Sequence, residues 1–113
     1  MDKPVVRPVI EVLYVQDCPN YVGALALVER VRAELGIDAE VRSTLIVDQA
    51  AAERARFPGS PTVRVGGRDV EPGSEPAAEI TTACRLYRLE HRLAGQPAER
   101  WVRDALLRAV GRS

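Results

Sequence analysis

Cys18 and Cys84 are the two thiols of the chain, and the residues around the first set it where a thiol does chemistry. Val9-Ile10-Glu11-Val12-Leu13-Tyr14-Val15 is rich in β-branched residues and reads as a buried strand; Gln16-Asp17-Cys18-Pro19-Asn20-Tyr21 follows at once. Pro19 predicts the first turn of a helix running to about Leu35, where a missing N–H costs nothing. Cys18 therefore falls at the seam between the carboxyl end of a strand and the start of a helix. Unsatisfied N–H groups and the positive end of the helix dipole favour a thiolate there, while the neighbouring Asp17 opposes it by repulsion. Such a thiolate is a nucleophile or a soft-metal ligand; the alternative is a buried, inert cysteine.

Cys84 is the candidate partner. Ala77, Ile80, Cys84, Tyr87, His91 and Ala94 recur at spacings of three and four, which predicts a helix over 77–94 started by Pro76, against the β-branched Ile80-Thr81-Thr82. On a continuous helix Cys84 lies about two turns in, as a core thiol on the stripe with Ile80 and Tyr87. A chain that instead leaves the edge where strand 68–71 ends brings Cys84 back towards Cys18. It then serves as a resolving thiol or as the second ligand of a linear soft-metal site. The residues leave both open, and a disulfide needs the two Cα atoms within roughly 7 Å.

Other side chains bear on such a site. Tyr21 either packs or lines its mouth, where its hydroxyl could donate a hydrogen bond to a bound sulfur or oxygen. Arg85 either attracts an anionic substrate such as glutathione or is an ordinary surface arginine. His91 stands without a second histidine or a cysteine cluster, so no zinc site and no cofactor is expected. Pairing of His91 with either cysteine competes with an exposed place on a helix. Trp101 reads as core or interface.

The elements that must position these residues follow in order. Residues 1–8 are a lead-in kept extended by Pro4 and Pro8, and 9–111 form one domain. Tyr21, Ala24, Val28, Val31 and Leu35 make the buried stripe of the first helix, which Gly36 ends. Ile37, Ala39, Val41, Leu45 and Val47 alternate with polar residues over 37–47, which predicts a strand with one apolar face. Asp48 caps a short alanine-rich helix through about Arg56. Strand, helix and strand in this order form a βαβ unit with a parallel pair. After Phe57-Pro58-Gly59-Ser60-Pro61-Thr62, the run Val63-Arg64-Val65 turns through Gly66-Gly67 and returns antiparallel over 68–71. Beyond Gly95-Gln96-Pro97, Ala98, Trp101, Val102, Ala105, Leu106 and Ala109 share one face of a last helix, with Gly111 past its end.

Composition narrows the function classes. Sixteen basic and sixteen acidic residues cancel, so no global field invites nucleic acid or an anionic membrane. The arginines from Arg85 to Arg108 are interleaved with Glu90, Glu99 and Asp104, the pattern of a solvated helical face. No apolar stretch approaches a membrane span and no signal peptide is recognised. A cytoplasmic location is expected, where paired structural cysteines are rare. Gly66-Gly67 is a turn, not a phosphate cradle, and no paired-carboxylate or nucleic-acid motif is present.

In this arrangement the chain resembles the thioredoxin-like fold: α/β, a central four-stranded mixed sheet (βαβ, then a ββ-hairpin) with flanking helices. Cys18 matches the position of that fold's reactive cysteine, and Ser60-Pro61-Thr62 looks like its cis-proline loop. More narrowly, Asp17-Cys18-Pro19-Asn20-Tyr21, Phe57-Pro58-Gly59-Ser60-Pro61-Thr62, Gly67-Arg68-Asp69-Val70 and Cys84-Arg85-Leu86-Tyr87 resemble short bacterial thioredoxin-like proteins sometimes labelled alkylmercury lyase. Nothing in the sequence itself assigns carbon–mercury cleavage. Tyr21 stands where dithiol thioredoxins carry a second cysteine, which removes the local two-cysteine cycle. The resemblance implies that backbone groups around Ser60, Pro61 and Thr62 pair with an extended thiol substrate, as in β-augmentation. Three readings follow. The first is thiol–disulfide or related sulfur chemistry, with Cys18 as nucleophile and Cys84 or glutathione resolving. The second is a soft-metal module for mercury or copper(I) held between two thiolates. The third is a non-catalytic scaffold that binds a protein partner or dimerises through strand 68–71 or the Trp101 helix.

Overall fold

The sheet is built outward from strand β1 (Val9–Tyr14), which is hydrogen-bonded on both sides. A computed structural model describes residues 7–74 and 79–112. On one side β1 runs parallel to β2 (Glu40–Leu45), with Val9 opposite Glu40 and Tyr14 opposite Leu45. On the other it runs antiparallel to β3 (Thr62–Val65), with Ile10 opposite Val65 and Leu13 opposite Thr62. A two-residue turn then reverses the chain into β4 (Arg68–Asp69), antiparallel to β3. Gly66 and Gly67 carry φ of 60° and 84° there, a conformation that side chains bearing a Cβ rarely adopt. The order β2-β1-β3-β4 is the expected four-stranded mixed sheet, and the class is α/β.

Strand periodicity sorts the apolar residues into two layers, because successive side chains point to opposite faces. Ile10, Val12, Val63 and Val65 pack against helices α1 (Tyr21–Leu35) and α3 (Glu99–Ala109). Those helices contribute Ala24, Leu27, Val28, Val31, Trp101, Val102, Ala105 and Leu106, so Trp101 belongs to the core. A separate cluster of Leu13, Ile46, Ala52 and Phe57 places helix α2 (Gln49–Ala55) with the odd-numbered side of β1. Fully burying one such large apolar side chain stabilises the fold by about 1.5–3 kcal/mol, so both layers contribute. The caps follow the sequence: Gly36 ends α1 with φ 65°, and the Asp48 carboxylate accepts from the Ala51 N–H (2.8 Å) at the start of α2.

Several boundaries differ from the sequence reading. Helix α1 begins at Tyr21, two residues later than Pro19 suggests, because 15–18 and 18–21 each close a turn first. Its stripe takes in Leu27, while Tyr21 and Leu35 are only half-buried. The alternation over 37–47 fails at its end: Ile46 is buried, and Leu45 and Val47 are exposed. Strand 68–71 keeps ladder pairing at 68–69 and one further bond, Val70 N–H to the Val63 carbonyl (3.0 Å).

The largest difference is the predicted helix over 77–94. Residues 79–94 are not helical; they hold an isolated bridge at Cys84 and a small antiparallel pair, β5 (Tyr87–Arg88) with β6 (Leu93–Ala94). Positions 77 and 78, with Pro76, lie outside the described residues, as do residues 1–6 of the lead-in. The spacing of Ile80, Cys84 and Tyr87 coincides with a helix, yet Tyr87 is buried while Cys84 is exposed. Backbone bonds to Ser60 override the weak propensity of Ile80-Thr81-Thr82. No helix among the described residues is long and apolar enough to cross a membrane.

Candidate thiol site at the Ser60–Pro61 loop

The loop between α2 and β3 is the hub to which both cysteine-bearing segments are tied. Its Ser60–Pro61 peptide bond is cis, a state available at proline for a small cost. Ser60 is fully buried, and each of its polar groups has a partner. Its hydroxyl accepts from the Val15 N–H (3.0 Å), three residues before Cys18. Its N–H donates to the Ala83 carbonyl (2.9 Å), and its carbonyl accepts from the Arg85 N–H (2.8 Å). Ser60 and Cys84 thereby face each other as a parallel bridge.

Gly59 makes this approach feasible. Its φ is 132°, and an added Cβ would lie 2.9 Å from the Arg85 Cβ and 3.2 Å from its Cα. Only glycine fits without displacing the 83–85 segment.

On the β1 side, the Cys18 N–H closes a turn onto the Val15 carbonyl (3.3 Å), with Asp17 in the left-handed region at φ 63°. The Tyr21 N–H then reaches the Cys18 carbonyl (3.4 Å). Cys18 is half-buried and sits a turn ahead of α1, so the dipole argument acts on it from farther off than the sequence implies. Tyr21 packs, and its hydroxyl is engaged within the chain. Its ring stacks on Tyr14 (centroids 3.7 Å apart, 15° between planes) and its OH donates to Ser43 Oγ at 2.8 Å.

On the far side, Arg85 is neither surface-exposed nor free to greet an anion. Its side chain is 7% exposed. One guanidinium nitrogen donates to Asp69 Oδ2 (2.6 Å) and Thr62 Oγ1 (3.0 Å). The other donates to Asp69 Oδ1 (3.2 Å) and Glu71 Oε1 (2.8 Å). This fork-on-carboxylate geometry suits arginine and not lysine. Burial works against the charge, but the Asp69 hydrogen bonds and the charges around it outweigh that and raise the guanidinium pKa. The cation also lies 4.3 Å from the centroid of the Tyr87 ring. Tyr87 is fully buried, which pushes its phenol well above the ordinary range, and it donates to the Pro61 carbonyl at 2.6 Å. The Thr62 hydroxyl donates to the Gly59 carbonyl at 2.7 Å.

Three of the four sequence motifs meet in one place, and the residues leading to the fourth are tied to them at Val15. The Cys18 segment joins through Val15, the Gly-Ser-Pro-Thr loop is the centre, and the Asp69 and Cys84 segments lock together through Arg85. Asp69, Glu71 and Tyr87 are the members that sequence reasoning missed. Their signal was the placing of acidic residues two apart on a short edge strand and an arginine before a buried tyrosine, but neither shows burial by itself. His91 is 93% exposed and takes no part. Among the described residues no group of three or more His, Cys, Asp and Glu side chains converges as a metal site. Compared with known proteins, the chain matches no family model, no curated protein and no solved structure.

Proposed function

We propose that the protein is a thioredoxin-like thiol oxidoreductase that uses two cysteines distant in sequence. Cys18 is the nucleophile and Cys84 the resolving thiol. The observation that carries this reading is the double attachment of Ser60, whose hydroxyl holds the segment leading to Cys18 while its backbone holds the segment bearing Cys84. A cis-proline loop tied at Val15 to the segment that leads from a central strand to a half-buried cysteine supports the fold assignment. Tyr21, three residues after Cys18, leaves the resolving role to a thiol from elsewhere in the chain, and Cys84 is free and exposed.

In the cycle, the Cys18 thiolate attacks one sulfur of a disulfide R–S–S–R′. The sulfur–sulfur bond breaks, R′S⁻ leaves with the electron pair and takes up a proton, and Cys18 holds R as a mixed disulfide. The Cys84 thiolate then attacks the Cys18 sulfur and releases RS⁻. The substrate gains two electrons and the protein ends as a Cys18–Cys84 disulfide, which two equivalents of an external thiol reduce.

Intact mass with cysteine mapping across a glutathione redox series tests this directly. The expected result is a Cys18–Cys84 disulfide with a defined midpoint, lost in both Cys18→Ser and Cys84→Ser. Thiols that stay separate at every ratio would remove the two-cysteine cycle.

A further inference from the structure

The backbone edge that an extended peptide would need at this site is already filled by the chain itself. β-Augmentation requires free N–H and C=O groups on an exposed strand edge. At Ser60 the N–H donates to Ala83 and the carbonyl accepts from Arg85. The neighbouring carbonyls are engaged too: Gly59 with the Thr62 hydroxyl, and Pro61, which has no N–H to offer, with the Tyr87 hydroxyl. The Phe57 carbonyl accepts from the Thr81 N–H at 3.0 Å. Residues 81–85 thus lie along the loop as a peptide substrate would, with Cys84 at the bridge position.

This occupant is not loosely held. The Arg85 guanidinium is bound to Asp69 and Glu71 and stacked on Tyr87, and the Gly59–Arg85 contact is too close for a Cβ. Displacing the segment would break three backbone hydrogen bonds and expose a buried cation.

Resting on the proposed thiol chemistry, we infer that this site serves low-molecular-weight thiol-reactive substrates, such as the disulfide of a small thiol, and excludes extended polypeptide disulfides. The internal 83–85 segment takes the place of a docked peptide. Cys84 on it is the thiol that would otherwise belong to a partner, so a small substrate need only reach Cys18.

The test compares two probes of matched leaving group on the Cys84→Ser protein, in which the Cys18 mixed disulfide accumulates. One probe is glutathione disulfide; the other is a ten-residue peptide whose central cysteine is joined to glutathione. Mass spectrometry reads the rate at which each thiol appears on Cys18. The glutathione adduct should dominate and the peptide adduct should form at least on the order of tenfold more slowly, since the hydrogen bonds that would hold a peptide are already made within the chain. Hydrogen exchange gives a second readout on wild-type protein: the Ser60 and Arg85 amides stay protected with the peptide present. Peptide adducts forming as fast as glutathione adducts, or peptide-induced loss of protection at Arg85, would overturn the substrate class and leave the thiol chemistry standing. No adduct from either probe would sink both.

Discussion

Two ion-pair networks in this molecule have nearly the same geometry and opposite surroundings. In the first, Arg85 meets Asp69 and Glu71 at 2.6–2.8 Å, with side-chain exposures of 7%, 10% and 26%. In the second, Glu99 on α3 meets Arg30 at 2.8 Å and Arg103 at 3.2 Å, with exposures between 36% and 50%. Distance alone would rank them together. Burial separates them, because a charge withdrawn from water must be compensated by its partners or it destabilises the fold, while an exposed charge merely exchanges partner for solvent. The buried network acts on placement: it holds the Cys84 segment against the Ser60 loop, which the exposed network does for nothing near the thiols.

The largest expected effect breaks the buried side of the comparison. Asp69→Ala removes the fork acceptor and leaves Arg85 buried with Glu71, Ser74 and Thr62 as remaining partners. We expect a loss of about 3 kcal/mol, the low end for breaking a buried pair because Glu71 remains. Chemical denaturation measures it. A double-mutant cycle with Arg85→Ala should return a coupling of about 2 kcal/mol. The same cycle on Glu99 and Arg30 should give a coupling close to zero, and equal couplings would refute the argument from burial.

Gly59→Ala comes next and tests the approach that the ion pair secures. The alanine must adopt φ near 132° and press its Cβ on Arg85. A cost of about 2–3 kcal/mol follows from strain and overpacking. Faster amide exchange at Arg85 should accompany it. A stability loss with that amide still protected would mean that the loop yields rather than the 83–85 segment.

These contacts also mark where the sequence was readable. The βαβ unit, the Gly66-Gly67 turn and the Asp48 cap rest on local signals or on short-range periodicity, whereas the cis bond at Pro61 was suggested by resemblance alone and is seen only in the structure. Residues 79–94 rest on no such local signal. Their structure is dictated by Ser60, more than twenty positions before Ala83 and Arg85, and by an arginine whose carboxylate partners lie on β4 and just beyond it. Three-and-four spacing over Ile80, Cys84 and Tyr87 could not reveal that partner. Arg85 reads as a surface residue for the same reason: arginine is mostly exposed unless paired, and the pairing is tertiary. The thiol seam after β1 was legible, but the two turns that delay α1 to Tyr21 were not.

Ser60→Ala is a smaller perturbation aimed at the link between the two thiol segments. It removes the acceptor for the Val15 N–H while leaving the backbone bonds to Ala83 and Arg85 intact. A cost of about 1–2 kcal/mol is expected for the stranded donor. Exchange should quicken at Val15 and not at Arg85. Quickening at both would show that the hydroxyl, rather than the buried ion pair, organises the Cys84 side.

Glu99→Gln sharpens the exposed side and should do least. The hydrogen bond from Arg30, then that from Arg103, holds the Glu99 carboxyl below its ordinary value of 4.5. A folded-state pKa lower than the unfolded one means that the contribution is present above the unfolded value and is lost as pH falls through the folded one. Wild type and Glu99→Gln should therefore differ slightly in Tm at pH 7 and converge as the pH falls through the lowered Glu99 carboxyl pKa. Added salt should shrink the difference at pH 7, because all three side chains face water. The Asp69→Ala deficit, set in a water-poor environment, should persist in the same salt. If salt erased both alike, the two networks would be one kind of interaction, and the placement of Cys84 would need another cause.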